Sequence, residues 1–508
     1  MNMLKQATAN LGTELLVHAG PTLAQIGPLR GMAVRAIETY GRRGLTQSRA
    51  TSHHPPGVDE DRLLMGLALA HTIERILVER RASQAVRRTL FQILVQGLIF
   101  HQAGTEAMAR FTARYGEHPC SFLVISPGKA CNLRCLGCYA DAGPTAEKLD
   151  WATFDRIITE AKELWGASFF VISGGEPLAY RSDGKGVLDA AEKHRDCLFL
   201  MYTNGTLIDD RVAARMAEVG NLTPALSVEG FRERTDARRG AGVFDKVLAA
   251  MARLRQTGVP FGISLTATCH NCEEILSDEF IDFFFAQQGA LYGFIFHYMP
   301  IGRAFTLDLM PTPEQRLWLW RRSWELIRQQ RLFLADFWNH GTAVEGCISA
   351  GRSGGYLHID WNGAVSPCVF VPYSPVNIKD IYARGGTLND VWAEPFFADI
   401  RAWQREYGLG QPTQERVGNW LAPCIIRDHH ETLRRLMAMH EPEPTDPNAR
   451  EALLDEEYYR GLAVYDREWQ ALSGQVWEEH YQRWGCPQGS DITPLPEVPR
   501  PTVVTAKS

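Results

Sequence analysis

The sequence predicts an α/β protein built on a partial (β/α) barrel, with a helical region before it and a small α+β region after it. Three observations predict this. From Cys120 onward, short apolar runs alternate with helical-period segments of about ten residues, the pattern of parallel strands with covering helices. Five or six such units suggest an open or partial barrel. Glycine- and asparagine-rich turns follow directly after several of the apolar runs, where barrels of this kind carry their chemistry.

The elements follow in order. Residues 1–118 form a helical N-terminal region, with Leu63–Arg81 and Ala85–His101 as its clearest helices and Thr51–Asp59 as a loop between helical segments. Arginines at 75, 80, 81, 87 and 88 punctuate its apolar positions. It reads as a cap packed on the next region, or as a basic amphipathic surface facing anionic lipid or a partner. The barrel occupies 119–305. Its strands are Ser121–Ile125, Ser168–Ile172, Leu198–Tyr202, Ala225–Val228 and Phe261–Thr266, separated by helices such as Phe154–Trp165, Asp210–Val219 and Phe244–Gln256. Phe280–Ile301 reads as a buried helix and strand. The third region, 306–436, carries a tryptophan-rich helix and three cysteines among short strands. Residues 437–508 comprise a Glu-Pro linker, an aromatic helical stretch and a Pro-rich tail expected to be disordered.

The whole-chain numbers exclude more than they select. With 45% hydrophobic and 22% charged residues among 508, the chain can bury large cores. A net charge of -6 gives no reason to expect a nucleic-acid partner. No uninterrupted apolar run is long enough for a transmembrane helix, and Met1–Gly20 lacks the features of a secretion signal. A cytoplasmic protein, in part peripheral to a membrane, is the expectation. Of the 11 cysteines, Cys131, Cys135 and Cys138 fall within eight residues, which points to metal or redox chemistry in a reducing compartment.

Cys131-Asn-Leu-Arg-Cys135-Leu-Gly-Cys138 is a Cys-x3-Cys-x2-Cys run. Three thiolates so spaced can wrap three corners of a 4Fe–4S cube and leave the fourth iron without a protein ligand. A structural zinc site is the alternative, but it ordinarily takes four ligands in two short-spaced pairs. No second Cys-x2-Cys pair lies nearby.

Gly174-Gly175-Glu176-Pro177 follows the second apolar run, Thr203-Asn204-Gly205-Thr206 the third, and Ser227-Val-Glu-Gly230 the fourth, with Arg238-Arg239-Gly240 beyond it. Together with the cysteine run, these resemble the radical S-adenosylmethionine (SAM) superfamily, from about Ser121 to His430. The resemblance implies a barrel of the radical SAM type and a 4Fe–4S cluster on Cys131, Cys135 and Cys138 as the catalytic centre. It implies that SAM is cleaved reductively to a 5′-deoxyadenosyl radical that abstracts hydrogen from a substrate. Gly174, Gly175 and Glu176 then lie at the SAM amino group, and Asn204, Ser227 and Arg239 are further SAM contacts. The residue before the third cysteine is often aromatic in the family. Here it is Gly137, and Tyr139 is the candidate for a similar task.

Cys347, Gly363 and Cys368 are similar in spacing to the opening of the SPASM and Twitch extensions of that superfamily, and Cys424 supplies a third thiolate. The longer cysteine run of a full SPASM domain is absent, so the resemblance implies one auxiliary iron–sulfur cluster. Asp428, His429, a distant cysteine or the substrate itself could complete it. Tyr356–Gly363 reads as a hairpin turning at Asn362-Gly363. Cys269 and Cys272 read as structural. His297, Tyr298, Arg303, His340 and Glu345 are candidate substrate-side residues. The expected partners are SAM, a ferredoxin- or flavodoxin-type reductant, and a peptide or lipid-like substrate. An iron–sulfur electron carrier or scaffold without catalysis is the competing reading.

Overall fold

The computed structural model describes residues 39, 52–78, 82–94 and 104–482. Expectations for most of the first fifty residues, for helix beyond Leu94, for Cys486 and for the Pro-rich tail lie outside these residues.

Seven strands run parallel and pair in chain order: β1 (Phe122–Ile125), β2 (Phe169–Ile172), β3 (Leu198–Thr203), β4 (Leu222–Val228), β5 (Gly262–Ala267), β6 (Tyr292–His297) and β7 (Phe333–Asp336). An eighth strand, β8 (Tyr356–Ile359), pairs parallel with the outer edge of β1, with Phe122 opposite Tyr356. It turns at Asn362-Gly363 into antiparallel β9 (Ala364–Ser366). After β10 (Tyr373–Ser374), the chain adds β11 (Val376–Asn377) to β9, and β10 later pairs with β12 (Glu443–Pro444). The main sheet therefore reads β11-β9-β8-β1-β2-β3-β4-β5-β6-β7. β7 and β8 do not pair, which makes the barrel split at one seam.

These strands form because both of their faces are buried. Leu123, Ile125, Phe170, Ile172, Phe199 and Met201 point outward under helices and are fully buried. The intervening residues point into the lumen, which explains why β1 and β2 read as continuous apolar runs rather than alternating ones. Each fully buried side chain of this size contributes about 1.5–3 kcal/mol. The covering helices have well-made ends. Asp150 caps helix Trp151–Trp165 by accepting from the Thr153 amide, and Gly166 ends it at φ 70°. Helix Pro313–Gln330 opens with a capping box between Thr312 and Gln315.

The sheet does not end near residue 305, because β7, β8, β9 and β11 all continue it. Beyond 437, helix Glu456–Val476 packs on the core: Leu462 and Trp469 are completely buried, and Trp469 Nε1 donates to the Leu421 carbonyl at 3.0 Å. Helix Pro56–Val78 packs against β7 and against the short helix Gly341–Val344, so the N-terminal region borders the seam. No helix among the described residues is long and apolar enough to cross a membrane.

Candidate active site

The loops after the C-terminal ends of β1 to β4 converge on one rim of the barrel. Cys131, Cys135 and Cys138 lie on the loop after β1, and all three face a single cavity of about 730 Å³. The loop is held from several sides. Arg303 reaches across with Nη1 to the Cys135 carbonyl at 2.9 Å, Nε to Asp141 at 2.9 Å, and Nη2 to the Ala142 carbonyl. Its own amide donates to the Cys138 carbonyl at 2.9 Å. Gly137 has φ 62°, and a Cβ there would stand 2.5 Å from Cε2 of Tyr298. The residue expected to be aromatic is a glycine because the Tyr298 ring from the end of β6 occupies its place.

N–H groups approach the sulfurs. The Leu133 amide lies 3.4 Å from Cys131 Sγ, Asn204 Nδ2 lies 3.8 Å from the same sulfur, and Arg239 Nη1 lies 4.0 Å from Cys135 Sγ. Burial pushes the Cys131 thiol up to about 11, and negative charge on Glu176, Cys135 and Cys138 adds to the rise. Clustered thiolates in such a place need a cation, and a bound metal reverses the shift. Three thiols on one loop facing one cavity are a donor set suited to a 4Fe–4S cube, whose protein-bound corners are three different irons.

Gly174, with φ 116°, and Gly175 bring the backbone after β2 against the cysteine loop, where the Glu176 amide donates to the Ala130 carbonyl at 2.8 Å. Ser173, Gly174 and Gly175 line the cavity. The Glu176 side chain does not. Only 1% exposed, it accepts from Thr203 Oγ1 at 2.7 Å, from the Leu178 amide at 3.1 Å and from the Asn204 amide at 2.8 Å. That carboxylate ties the end of β2 to the turn after β3. Burial raises its pKa. Asn204 faces the cavity and also bonds Asn132 of the cysteine loop at 2.9 Å.

Ser227 and Arg239 line the cavity beyond β4. Glu229 is buried beneath them. Its Oε1 accepts from Arg238 Nη1 at 2.7 Å and Arg239 Nε at 2.8 Å, while Oε2 accepts from the Thr266 amide at 3.1 Å. Two guanidiniums on one carboxylate leave a net positive rim suited to a carboxylate ligand. Tyr139 also lines the cavity, but its hydroxyl is fixed to Ser173 Oγ at 2.6 Å and its ring packs edge-on against Phe370.

Cys347, Cys368 and Cys424 open on the same cavity from the far side. Tyr356 shares a hydrogen bond with Cys368 Sγ at 2.9 Å, and burial pushes the Cys368 thiol up to about 12. Burial raises the Cys424 thiol as well, with negative charge on Asp428, Cys347 and Cys368 adding to it. Asp428 and His429 are both committed elsewhere. Asp428 is fully buried in an ion pair with Arg316, and His429 Nε2 meets the Ala422 carbonyl at 2.9 Å between Trp403 and Tyr407. Neither faces the cavity. Cys269 and Cys272 bond the Asp308 and Thr268 carbonyls and stay outside it.

Of the substrate-side candidates, His297, Tyr298 and His340 border the cavity. His297 Nε2 lies 3.0 Å from Asp336 Oδ2, and burial holds its pKa down at about 4. Arg303 instead staples the cysteine loop, and Glu345 pairs with Arg62 at 2.5 Å. What the sequence did not reveal is the scaffold behind the motifs, above all the clamp of Tyr298 and Arg303. The only signal was a Gly-Arg pair just after a strand.

Comparison with known proteins bears on the family. The family model described as "Radical SAM superfamily" matches residues 125–274. The chain is 31% identical over 290 residues to the mycofactocin maturase MftC of Mycolicibacterium smegmatis, covering 54% of this chain and 70% of that one. It is 30% identical over 149 residues to the Fe-coproporphyrin III synthase of Methanosarcina barkeri, but spans only 37% of that enzyme's length and 29% of its own. Among solved structures, SuiB of Streptococcus suis bound to S-adenosylmethionine aligns with a TM-score of 0.47 and 22% identity over 58% of this chain and 70% of that one. With the Cys-x3-Cys-x2-Cys loop at the rim of a parallel split barrel and this extent of likeness to a maturase, the chain belongs to the radical SAM superfamily.

Proposed function

We propose that Cys131, Cys135 and Cys138 hold the 4Fe–4S cluster at which SAM is cleaved, and that Cys347, Cys368 and Cys424 hold one auxiliary cluster across the cavity. When bound, the first cluster supplies the electron that splits SAM into methionine and a hydrogen-abstracting 5′-deoxyadenosyl radical. The chain's own residues position the reactants. Backbone groups of Ser173 to Gly175 and the side chain of Ser227 hold SAM by hydrogen bonds. Arg239, oriented by Glu229, takes its carboxylate. Glu176 acts by fixing the turn at Asn204. His297 borders the cavity as a neutral imidazole whose Nδ1 is left to accept a proton, while both ring nitrogens of His340 are bonded, to the Asp336 amide and to Ser323. The substrate, a peptide or a lipid-like metabolite, presents a C–H bond between the two triads, and a ferredoxin- or flavodoxin-type protein delivers the electron. Within the cytoplasm, the arginine-studded N-terminal region would face a membrane surface.

One observation carries the reading: both thiol triads open on the same cavity of about 730 Å³. The test is anaerobic reconstitution with iron and sulfide, followed by dithionite, SAM and detection of 5′-deoxyadenosine. Two cubes predict about eight irons per chain, falling to about four when the first three cysteines are replaced by alanine, with deoxyadenosine lost. Deoxyadenosine formed by that triple variant would sink the assignment of the first triad. About four irons in the unaltered chain would sink the auxiliary cluster.

A further inference from the structure

The reading above places its chemistry at the rim of the cavity. Parallel barrels ordinarily fill their interior with side chains, yet here the lumen stays open down to the first residues of the strands. Leu198, Leu200 and Tyr202 of β3 face it in three successive layers, and Phe122, Phe169 and Phe333 face it at the starts of β1, β2 and β7.

The lining has a sharp polarity. The charged side chains on the cavity are Arg238, Arg239, His297, Asp336 and His340, and all sit at or beyond the C-terminal ends of the strands. Below them no described charged side chain faces the lumen, so a carboxylate or ammonium there would have no counter-charge. Hydroxyls near the floor are already committed. Thr223 Oγ1 bonds the Pro260 carbonyl at 2.9 Å and Tyr292 Oη at 2.7 Å, Tyr292 also reaches the Pro224 carbonyl at 3.1 Å, and Thr72 bonds the Leu291 carbonyl at 3.3 Å. The floor therefore offers little to a polar guest.

The seam supplies an apolar edge. Leu69 on helix Pro56–Val78 and Val344 on helix Gly341–Val344 both border the cavity, yet remain 45% and 44% exposed. The two helices pack together beside the unpaired edge of β7. Exposed apolar side chains at the margin of an apolar cavity mark a place where apolar ligands enter.

We infer that the lumen below the cysteine loop binds an uncharged, elongated hydrocarbon portion of the substrate, admitted at the seam between β7 and β8. The inference deepens the catalytic reading and rests on it, since a chain seated there has its upper end at the rim beside both cysteine triads. It narrows the substrate to a molecule with a lipid-like chain and a polar end directed at the rim.

The experiment is anaerobic titration calorimetry of the reconstituted full chain with octanol, decanol and dodecanol, then with decanoate and decylamine. Saturable binding at one site is expected, tightening about sixteenfold for each two-carbon step, because each buried methylene is worth about fourfold. Decylamine, which meets no counter-charge in the lumen and a net positive rim above it, should bind at least about tenfold more weakly than decanoate. Ala335→Phe and Leu198→Trp place rings in the lumen and should weaken dodecanol at least about tenfold, while iron content and SAM cleavage stay unchanged. Leu69→Glu, at an exposed position that tolerates a charge, should weaken it too. Failure of every alcohol to saturate, or equal affinity in both filled variants, overturns the inference. Alcohol binding that appears only after residues 1–51 are removed overturns it as well, because the chain would then fill its own lumen. Alcohol binding without SAM cleavage would leave the lumen site standing and sink the catalytic reading instead.

Discussion

Arg316 and Asp428 are both inaccessible to solvent, and their ion pair joins the tryptophan-rich helix to the segment that carries Cys424. Arg316 Nη2 donates to Asp428 Oδ2 at 3.0 Å and to the Leu421 carbonyl at 3.2 Å. Its Nε donates to Asn339 Oδ1 at 3.1 Å, and the guanidinium lies 4.1 Å from the centre of the Trp469 ring. Asp428 Oδ2 also accepts from the Cys424 amide at 3.0 Å. Asp428→Leu leaves a desolvated guanidinium with three neutral acceptors and no hydrogen-bonded counter-charge. Removing one partner of such a pair costs about 3–5 kcal/mol, a large share of the ~5–15 kcal/mol that holds a typical fold together. Replacing both partners, Arg316→Met with Asp428→Leu, should recover most of that loss, since an apolar pair of similar volume is close to neutral. Urea unfolding of the metal-free protein, followed by tryptophan fluorescence, measures the three differences. The Cys424 amide loses its anchor in the single and the double variant alike. The double variant should therefore regain stability yet retain less iron than the unaltered chain after reconstitution. A single-variant loss below about 1 kcal/mol would refute the argument, because it would mean that the buried guanidinium is relieved by something other than Asp428.

Three further outcomes follow from the same geometry. Gly137→Ala forces a Cβ against Tyr298, whose hydroxyl is held by the Ala304 carbonyl at 2.9 Å, and into a backbone region that costs other residues about 1–2 kcal/mol. Iron analysis after reconstitution should show the cysteine loop losing its metal first, with SAM cleavage falling in parallel. Tyr356→Phe removes the hydroxyl 2.9 Å from Cys368 Sγ, so potentiometry should find the auxiliary couple shifted to more negative values with the total iron unchanged. His358 is held down at about 3 by burial, against an ordinary value of about 6.5. The unfolded chain thus takes up the proton first, and stability falls as pH drops from about 6.5 toward 3. Relative to His358→Gln, the unaltered chain should lose up to about 1.4 kcal/mol per pH unit across that window in urea unfolding. A pH-independent difference between the two would remove His358 as a source of acid sensitivity.

The cysteine loop and the turns after β2, β3 and β4 were legible in the sequence because each is a local pattern, complete within a few residues. Most strands of the barrel were legible for the same reason, but one was not. Phe333–Asp336 is a strand of four residues straight after a helix that ends at Arg331 in a left-handed conformation, and nothing in so short a run separates it from a loop. With β7 unread, the barrel seemed to end near residue 305, and the role of β8 in extending it on the other edge could not be seen. The direction of a side chain is likewise invisible at this level. Glu176 in its Gly-Gly-Glu turn reads as a ligand contact, whereas the fold turns the carboxylate back onto Thr203 and Asn204. The open lumen leaves no trace either, because a strand buried on both faces has the same composition whether its inner face meets side chains or a cavity.

The pairing of β1 with β8 has a consequence for biosynthesis. Phe122 and Tyr356 are neighbours in the finished sheet, but at ~5–20 residues per second the ribosome separates them by roughly ten to fifty seconds. During that interval the outer edge of β1, an apolar four-residue strand, has no partner and is a ready template for pairing with another nascent chain. Slow translation, high expression or a stop placed before residue 359 should therefore drive this protein into aggregates, even though every catalytic motif upstream has been made. Iron loaded at Cys131 before the hairpin arrives would enter a barrel that still lacks one wall. Delivery of the metal after release of the chain is the order of events that this topology favours.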